Sequence, residues 1–378
     1  MKVIAFYLPQ FHPTELNNKY WGEGFTEWVN VKRAKPLFNN HRQPRIPLEQ
    51  NYYDLLDIST LEWQADIAQK YGIYGFCFYH YWFNGTLQLE KPAELLLNNK
   101  SIDINYCFSW ANEPWTQAWV SKSDSIIMPQ KYGGKKDWKL HFEYLLSFFK
   151  DERYIKNNGK PLLIIYRPEQ IDCLNEMLDF FVELALANGF PGIEFAYQHI
   201  DFDKMKVKDD SRFSYNIEYE PLYSLDRFIE QSNMKFIFNV MKKVDDVLFK
   251  FFNKKFSTLY LKKVRTYDYD TIWEKSFQNE NITSKNIAGA FVDWDNTPRR
   301  GSKGVAYIGA NPTKFKKYFE RKVNQVKKDY SNDMLFIFSW NEWAEGGYLE
   351  PDTEFGFQYL EAIKETLDKA GENPYERD

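Results

Sequence analysis

The chain has 378 residues, with 49 Lys and Arg against 53 Asp and Glu, and its formal net charge of -4 gives nucleic acid no electrostatic footing. Hydrophobic residues make up 44%, among them 12 Trp, 26 Tyr and 32 Phe, enough for a large core with aromatic surface left over for a ligand that prefers flat rings. Cys77, Cys107 and Cys173 are three widely spaced thiols without CxxC spacing, which argues against a disulfide framework or a zinc site and for a reducing, cytoplasmic setting.

The N-terminus runs from Met1-Lys2 into Val3–Pro9, an apolar run too short for a signal peptide, and no stretch reaches the roughly 18 apolar residues of a membrane span. Val3–Pro9 is the first of eight short β-rich runs. The others are Tyr74–Trp82, Ile104–Trp110, Leu162–Arg167, Ile193–His199, Phe213–Glu220, Ala288–Asp295 and Leu335–Glu342. A long connection, about Gln10 to Ser59, follows the first run and is rich in Pro, Trp and Glu, as functional loops often are. Amphipathic spacing predicts helices over Leu61–Tyr71, Asp137–Lys150, Cys173–Asn188 and Thr313–Lys328, with Gly72, Gly189 and Gly192 as stops. Repeated βα units imply a parallel sheet. Eight strands without a Gly-rich phosphate fingerprint favour a closed (β/α)8 TIM barrel, one domain over 1–378. Between the sixth and seventh strands, roughly 226–280, the pattern gives way to a predicted helical insertion. Its Lys242, Lys243, Lys250, Lys254 and Lys255 suit either a solvated face or contact with an acidic membrane surface.

In a barrel the strand C-termini face the active site, and here they are unusually polar and aromatic. The first leads to Tyr7, Gln10 and His12, the second to His80 and Trp82, the third to Trp110, Asn112, Glu113 and Trp115. Later ends supply Tyr166 and Arg167, Gln198 and His199, Glu218 and Glu220, Asp293 and Asp295, and finally Trp340, Asn341, Glu342 and Glu345. Such side chains need partners or a ligand, and carbohydrate, with its C–H faces and hydroxyls, fits them. Tyr7, Trp82 and Trp110 serve equally well as barrel packing. Glu342 and Glu345 are the sharpest pair. In a continued strand they would lie about 10 Å apart on opposite faces. A turn at Trp343, encouraged by Gly346-Gly347, brings positions three apart to about 5–6 Å. That is a working distance for two carboxyls on one sugar, and like charges so close leave one acid and one base near neutral pH.

Four segments carry a family resemblance: Ile4–His12, Gly24-Phe25-Thr26-Glu27-Trp28, Phe291–Arg299, and Trp340-Asn341-Glu342-Trp343-Ala344-Glu345-Gly346 with Glu350-Pro351. Together they resemble the WbsX-type proteins of bacterial polysaccharide loci, which are similar to the endo-α-mannosidases and endomannanases of glycoside hydrolase family 99. The resemblance implies a retaining hydrolase of a bacterial polysaccharide or oligosaccharide, needing no metal or cofactor. In it Glu342 is the base on the sugar 2-hydroxyl, giving a 1,2-anhydro sugar, and Glu345 the general acid and base. The family usually has His where this chain has Ala344.

Three other readings remain open. Asn112-Glu113-Pro114 resembles the acid/base segment of another glycosidase group, with Glu113 as acid and Glu342 as nucleophile; alternatively Glu113 contacts a sugar hydroxyl. Asp293-Trp294-Asp295 has the Asp-x-Asp form by which glycosyltransferases hold a divalent metal and a nucleotide diphosphate, so an O-antigen or capsular glycosyltransferase is the alternative function; Arg299 and Arg300 lie near enough in sequence to pair with these aspartates. Glu23, Glu27, Trp21 and Trp28 on the first loop either cap the mouth or line it. His12, His80 and His199 are too scattered for a metal site.

Overall fold

The computed structural model describes residues 1–116, 126–200, 207, 209–231, 263–279 and 281–376. Eight parallel strands form a closed barrel: β1 (Lys2–Tyr7), β2 (Gly75–Phe83), β3 (Asn105–Trp110), β4 (Lys160–Ile165), β5 (Glu194–His199), β6 (Tyr215–Glu218), β7 (Asn286–Phe291) and β8 (Met334–Phe338). Each pairs with its sequence neighbours. β1 closes the ring, with Ile4 registered against Phe336 of β8 on one side and Gly75 of β2 on the other. All eight predicted strands are present. Two of the predicted runs, those ending at Asp295 and Glu342, extend well past the observed ends at Phe291 and Phe338, because there the chain leaves the ladder to present polar groups at the mouth.

Helices α1 (Glu15–Trp21) and α2 (Glu27–Arg33) sit inside the long first connection. They are followed by α3 (Ile58–Lys70), α4 (Lys91–Asn98), α5 (Lys135–Phe149) and α6 (Leu174–Ala187). The predicted stops Gly72 and Gly189 follow α3 and α6 with φ of 83° and 87°, a left-handed conformation that glycine adopts at no steric cost. Further along lie α7 (Leu222–Gln231), α8 (Tyr269–Ser276), α9 (Thr297–Arg300), α10 (Pro312–Asp329) and α11 (Gln358–Ala370). Asn311 caps α10 by accepting the Lys314 N–H, and Pro312 supplies a preset φ at its first position. The apolar stripe Phe315, Phe319, Val323 and Val326 of α10 is fully buried.

Of the predicted insertion, the stretch Val240–Lys255 with its five lysines lies outside the described residues. Its described flank is not purely helical. Arg265–Asp268 is a strand paired in parallel with Val305–Ile308, which ties the segment to the chain beyond β7. Alternation in Arg265-Thr266-Tyr267-Asp268 is too short to be read in sequence against its Lys-rich surroundings.

The strand pleat sorts side chains into two layers. Phe6, Tyr79, Tyr219, Phe336 and Phe338 interlock inside the barrel, with Phe6 stacked on Tyr79 at 5.8 Å and Tyr219 edge-on to both Phe6 (5.1 Å) and Phe338 (5.8 Å). The opposite parity faces the helices, and Tyr7 donates to Gln64 of α3 at 2.6 Å.

Candidate active site

Glu342 caps and Glu345 ends a single turn of 3-10 helix, Trp343–Glu345, closed by Gly346 at φ 69°. The chain then doubles back, so that Asn341-Glu342 pairs antiparallel with Gly347-Tyr348. A Cβ at Gly346 would come within 2.9 Å of the Asp295 amide nitrogen and 3.0 Å of Arg45, so both conformation and space require glycine. Outside the turn, the Asp295 N–H donates to the Glu345 carbonyl at 2.7 Å and Arg45 donates to the Gly346 carbonyl at 3.0 Å.

Both carboxylates approach one buried guanidinium. Arg299 meets Glu342 through Nη2 at 2.9 Å, Glu345 through Nη1 at 2.7 Å and Glu27 through Nε at 2.8 Å. Glu27 in turn accepts from Asn30 at 2.8 Å. Burial pushes the Glu342 carboxyl up, to about 8, helped by the nearby charges of Glu345 and Glu27 and opposed by Arg299. Arg299 therefore pairs with glutamates, not with Asp293 or Asp295 as sequence proximity suggests.

These groups line one side of an open cavity of about 620 Å³ at the C-terminal ends of the strands. Gln10, Glu113 and Tyr166 line it as well, as does Trp115. Much of the remaining wall is aromatic, with Trp21 and Phe25 of the first connection, Tyr79 and Tyr81 of β2, Tyr219 after β6 and Trp294 after β7, while Gln170, Asn296 and Arg300 add polar groups. Tyr79 and Tyr219 share a hydrogen bond at 2.7 Å between their hydroxyls. A second cavity, about 570 Å³, lies between Met1, Leu162, Tyr215 and Met334 at the other end of the barrel, away from the strand C-termini.

Several other sequence candidates lie off the cavity wall. His80, Trp82 and Trp110 point outward to α5, where the His80 and His141 rings share a 2.9 Å contact, Trp82 stacks on His141 at 4.7 Å and Trp110 meets it edge-on at 4.8 Å. Burial lowers both imidazoles, His80 to about 3, so the pair is a neutral core contact. Tyr7 has the same outward parity. Trp340 packs on Phe76 at 4.9 Å, and His12 is buried with Nδ1 at 3.1 Å from the Pro13 carbonyl. Gln198 sits deeper in the barrel, accepting from Ser109 at 2.7 Å.

Asn112 and Asn341 do the same job at two seams. Asn341 accepts the Leu8 N–H at 2.7 Å and donates to the Leu8 carbonyl at 3.0 Å; Asn112 accepts the Arg167 N–H and donates to its carbonyl, both at 2.8 Å. Glu113, beside it, pairs with Arg167 at 2.6 Å.

Asp293 and Asp295 are held by the first connection together with their own chain neighbours. Asp293 accepts from Arg45 at 2.8 Å and from the Trp294 N–H at 2.8 Å. Asp295 accepts from Gln43 at 2.7 Å, from the Thr297 hydroxyl at 2.6 Å and from His41 Nε2 at 2.8 Å. His41 Nδ1 accepts the Leu37 N–H, which leaves Nε2 as the protonated nitrogen. Burial raises the Asp295 carboxyl, yet His41, Arg45, Thr297 and Gln43 outweigh it and hold the group at about 2. Sequence reasoning named these aspartates but not the partners, which come from about 250 residues away.

Glu350 was known in sequence only as part of a motif. It is a buried anchor that accepts from Gln64 at 2.6 Å, Trp343 at 2.6 Å and Tyr53 at 2.9 Å, with its carboxyl raised by burial to about 7. Among the described residues, no group of three or more His, Cys, Asp or Glu side chains is arranged to hold a metal ion, and no helix is long and apolar enough to cross a membrane.

A family model described as glycosyltransferase WbsX matches residues 3–363. Two proteins called WxcX, from two strains of Xanthomonas campestris pv. campestris, are 31% and 32% identical over 370 residues, 97% of this chain; the chain spans about half the length of these curated relatives. Among solved structures, the family 99 endo-α-mannosidase of Bacteroides thetaiotaomicron aligns with 97% of this chain and 96% of its own, at TM-score 0.55 and 12% identity. A glycoside hydrolase-like protein aligns with 97% of this chain and 93% of its own, at TM-score 0.55 and 14% identity. Likeness at that identity speaks for the fold.

Proposed function

The chain belongs to the WbsX family, and from that premise and the geometry of the barrel mouth we propose that it hydrolyses a glycosidic bond in a bacterial polysaccharide or oligosaccharide with retention of configuration. The observation that carries this reading is the pair Glu342 and Glu345, held by adjacent nitrogens of one guanidinium and facing an aromatic wall in an open cavity. Ionised Glu342 takes the proton of the 2-hydroxyl, whose oxygen attacks the anomeric carbon as the glycosidic C–O bond breaks. Glu345 gives its proton to the departing oxygen. The product is a 1,2-anhydro sugar; Glu345 then takes a proton from water, which opens the ring at the anomeric carbon, and Glu342 returns its proton to the 2-oxygen. The aromatic wall takes the apolar sugar face.

The competing reading, a nucleotide-sugar transferase built on Asp293 and Asp295, draws on the family's name. It asks these carboxylates to release Arg45, His41 and Gln43 before they hold a metal. To separate the two, wild type, Glu342→Gln and Glu345→Gln are incubated with bacterial polysaccharides in EDTA and reducing ends are counted. Hydrolysis predicts release by wild type and a loss of about 10²–10⁴-fold in each variant. Activity confined to a nucleotide-sugar donor with Mn²⁺, and abolished by Asp295→Ala, would overturn it.

A further inference from the structure

The three ion pairs on Arg299 exceed what two reacting carboxylates require. A buried guanidinium with one carboxylate would already be neutralised, yet this one, 3% exposed, is met on all three of its nitrogens, and the third partner comes from α2 of the first connection. We propose that Arg299 is the positioning residue of the carboxylate pair and that Glu27 tunes it, fixing the plane of the guanidinium through Nε on the edge next to Glu342 and dividing its charge among three acceptors. The inference rests on the reading of Glu342 and Glu345 as the reacting groups.

The geometry gives each partner a separate part. Nη1 and Nη2 are rigidly coplanar, so they set where the two reacting oxygens stand relative to each other, a constraint that a point charge such as lysine does not impose. Nε is the remaining donor, and Glu27 occupies it while Asn30 holds Glu27 from behind. The groups facing Glu342 are Arg299 on α9, Glu27 on α2, Glu345 across its own turn, and Tyr79 and Tyr81 on β2; Tyr166 and Tyr219 face Glu345. Among these groups, all from the described residues, Arg299 is the one cation. Its removal leaves Glu342 buried among like charges and raises its proton affinity, whereas removing the Glu27 charge lowers it. The two substitutions therefore move one group in opposite directions, which loss of packing would not do.

The test is carboxyl ¹³C NMR on glutamate-labelled protein, with the Glu342 resonance assigned by Glu342→Gln. The expected result is a Glu342 midpoint that rises by a unit or more in Arg299→Gln and falls in Glu27→Gln. In kinetics the rising limb of kcat/KM against pH follows the same two directions, and Arg299→Lys restores the midpoint but not the rate. No movement, or movement in the same direction in both variants, overturns the proposal. Should Arg299→Gln fail to fold, Glu27→Gln decides alone, because a fall is required there. Opposite NMR shifts in a protein that hydrolyses nothing support the electrostatic role and overturn the hydrolase reading, so the two failures are told apart.

Discussion

A single asparagine side chain offers one acceptor and one donor edge at the spacing of a peptide, and Asn341 spends both on Leu8 where β8 meets β1. Removing it leaves a buried N–H and a buried carbonyl without partners. Asn341→Ala should therefore lower stability by about 2–3 kcal/mol, measured by urea unfolding, even though the side chain lies off the cavity wall. At this scale parity decides what composition leaves open. Polar and aromatic content at strand ends picks His80 together with Tyr7, Trp82 and Trp110, the last three equally suited to packing; the pleat sends these to the helices and turns Tyr79, Tyr81 and Tyr219 inward. The signal lies in Tyr79-His80-Tyr81-Trp82, where alternate positions carry different chemistry. Nothing in sequence, by contrast, ties Arg299 to Glu27, since they are 272 residues apart.

At the scale of elements, β6 and β7 lie so close that only glycine fits between them at one point. A Cβ on Gly289 would overlap the Glu218 carbonyl oxygen and press on the Glu220 side chain at 2.9 Å. Gly289→Ala forces the two strands apart and is expected to cost at least about 3 kcal/mol, read as a fall in the urea midpoint; the same change at Gly371, where no atom lies within 4 Å and only the φ of 64° is adverse, should cost less. Strands and helices were largely legible, because apolar runs, amphipathic spacing and glycine stops all agree at α3 and α6. What was not legible is how the first connection is used. Its composition marks it as functional, but only the fold brings Glu27 to the carboxylate pair and His41, Gln43 and Arg45 to the turn that carries it.

For the whole molecule, buried ionisable groups give stability a definite dependence on pH. Burial raises several carboxyls, among them Glu220 to about 7, Glu342 to about 8 and Glu350 to about 7, so between the ordinary glutamate value of 4.5 and these values the folded state holds more protons than the unfolded one at these three. Their contribution is complete below pH 4.5 and is lost as pH rises through 7 to 8. His80, lowered to about 3 from 6.5, acts with the opposite sign, its contribution growing from pH 3 and complete above 6.5. Between pH 6.5 and 8 the carboxyls alone remain of these four, and the urea midpoint is expected to fall across that window. Glu342→Gln should flatten the fall; an unchanged slope in that variant would mean that Arg299 already holds Glu342 ionised at pH 6.5. The two asparagine clamps have a consequence for how such a molecule diversifies. Because side chains stitch the rim at the seams between β1 and β8 and between β3 and β4, the loops departing above those stitches can lengthen, shorten or change sequence without moving the strand ends beneath them; on the hydrolase reading proposed above, new glycan preferences can then be explored above a carboxylate pair that stays fixed.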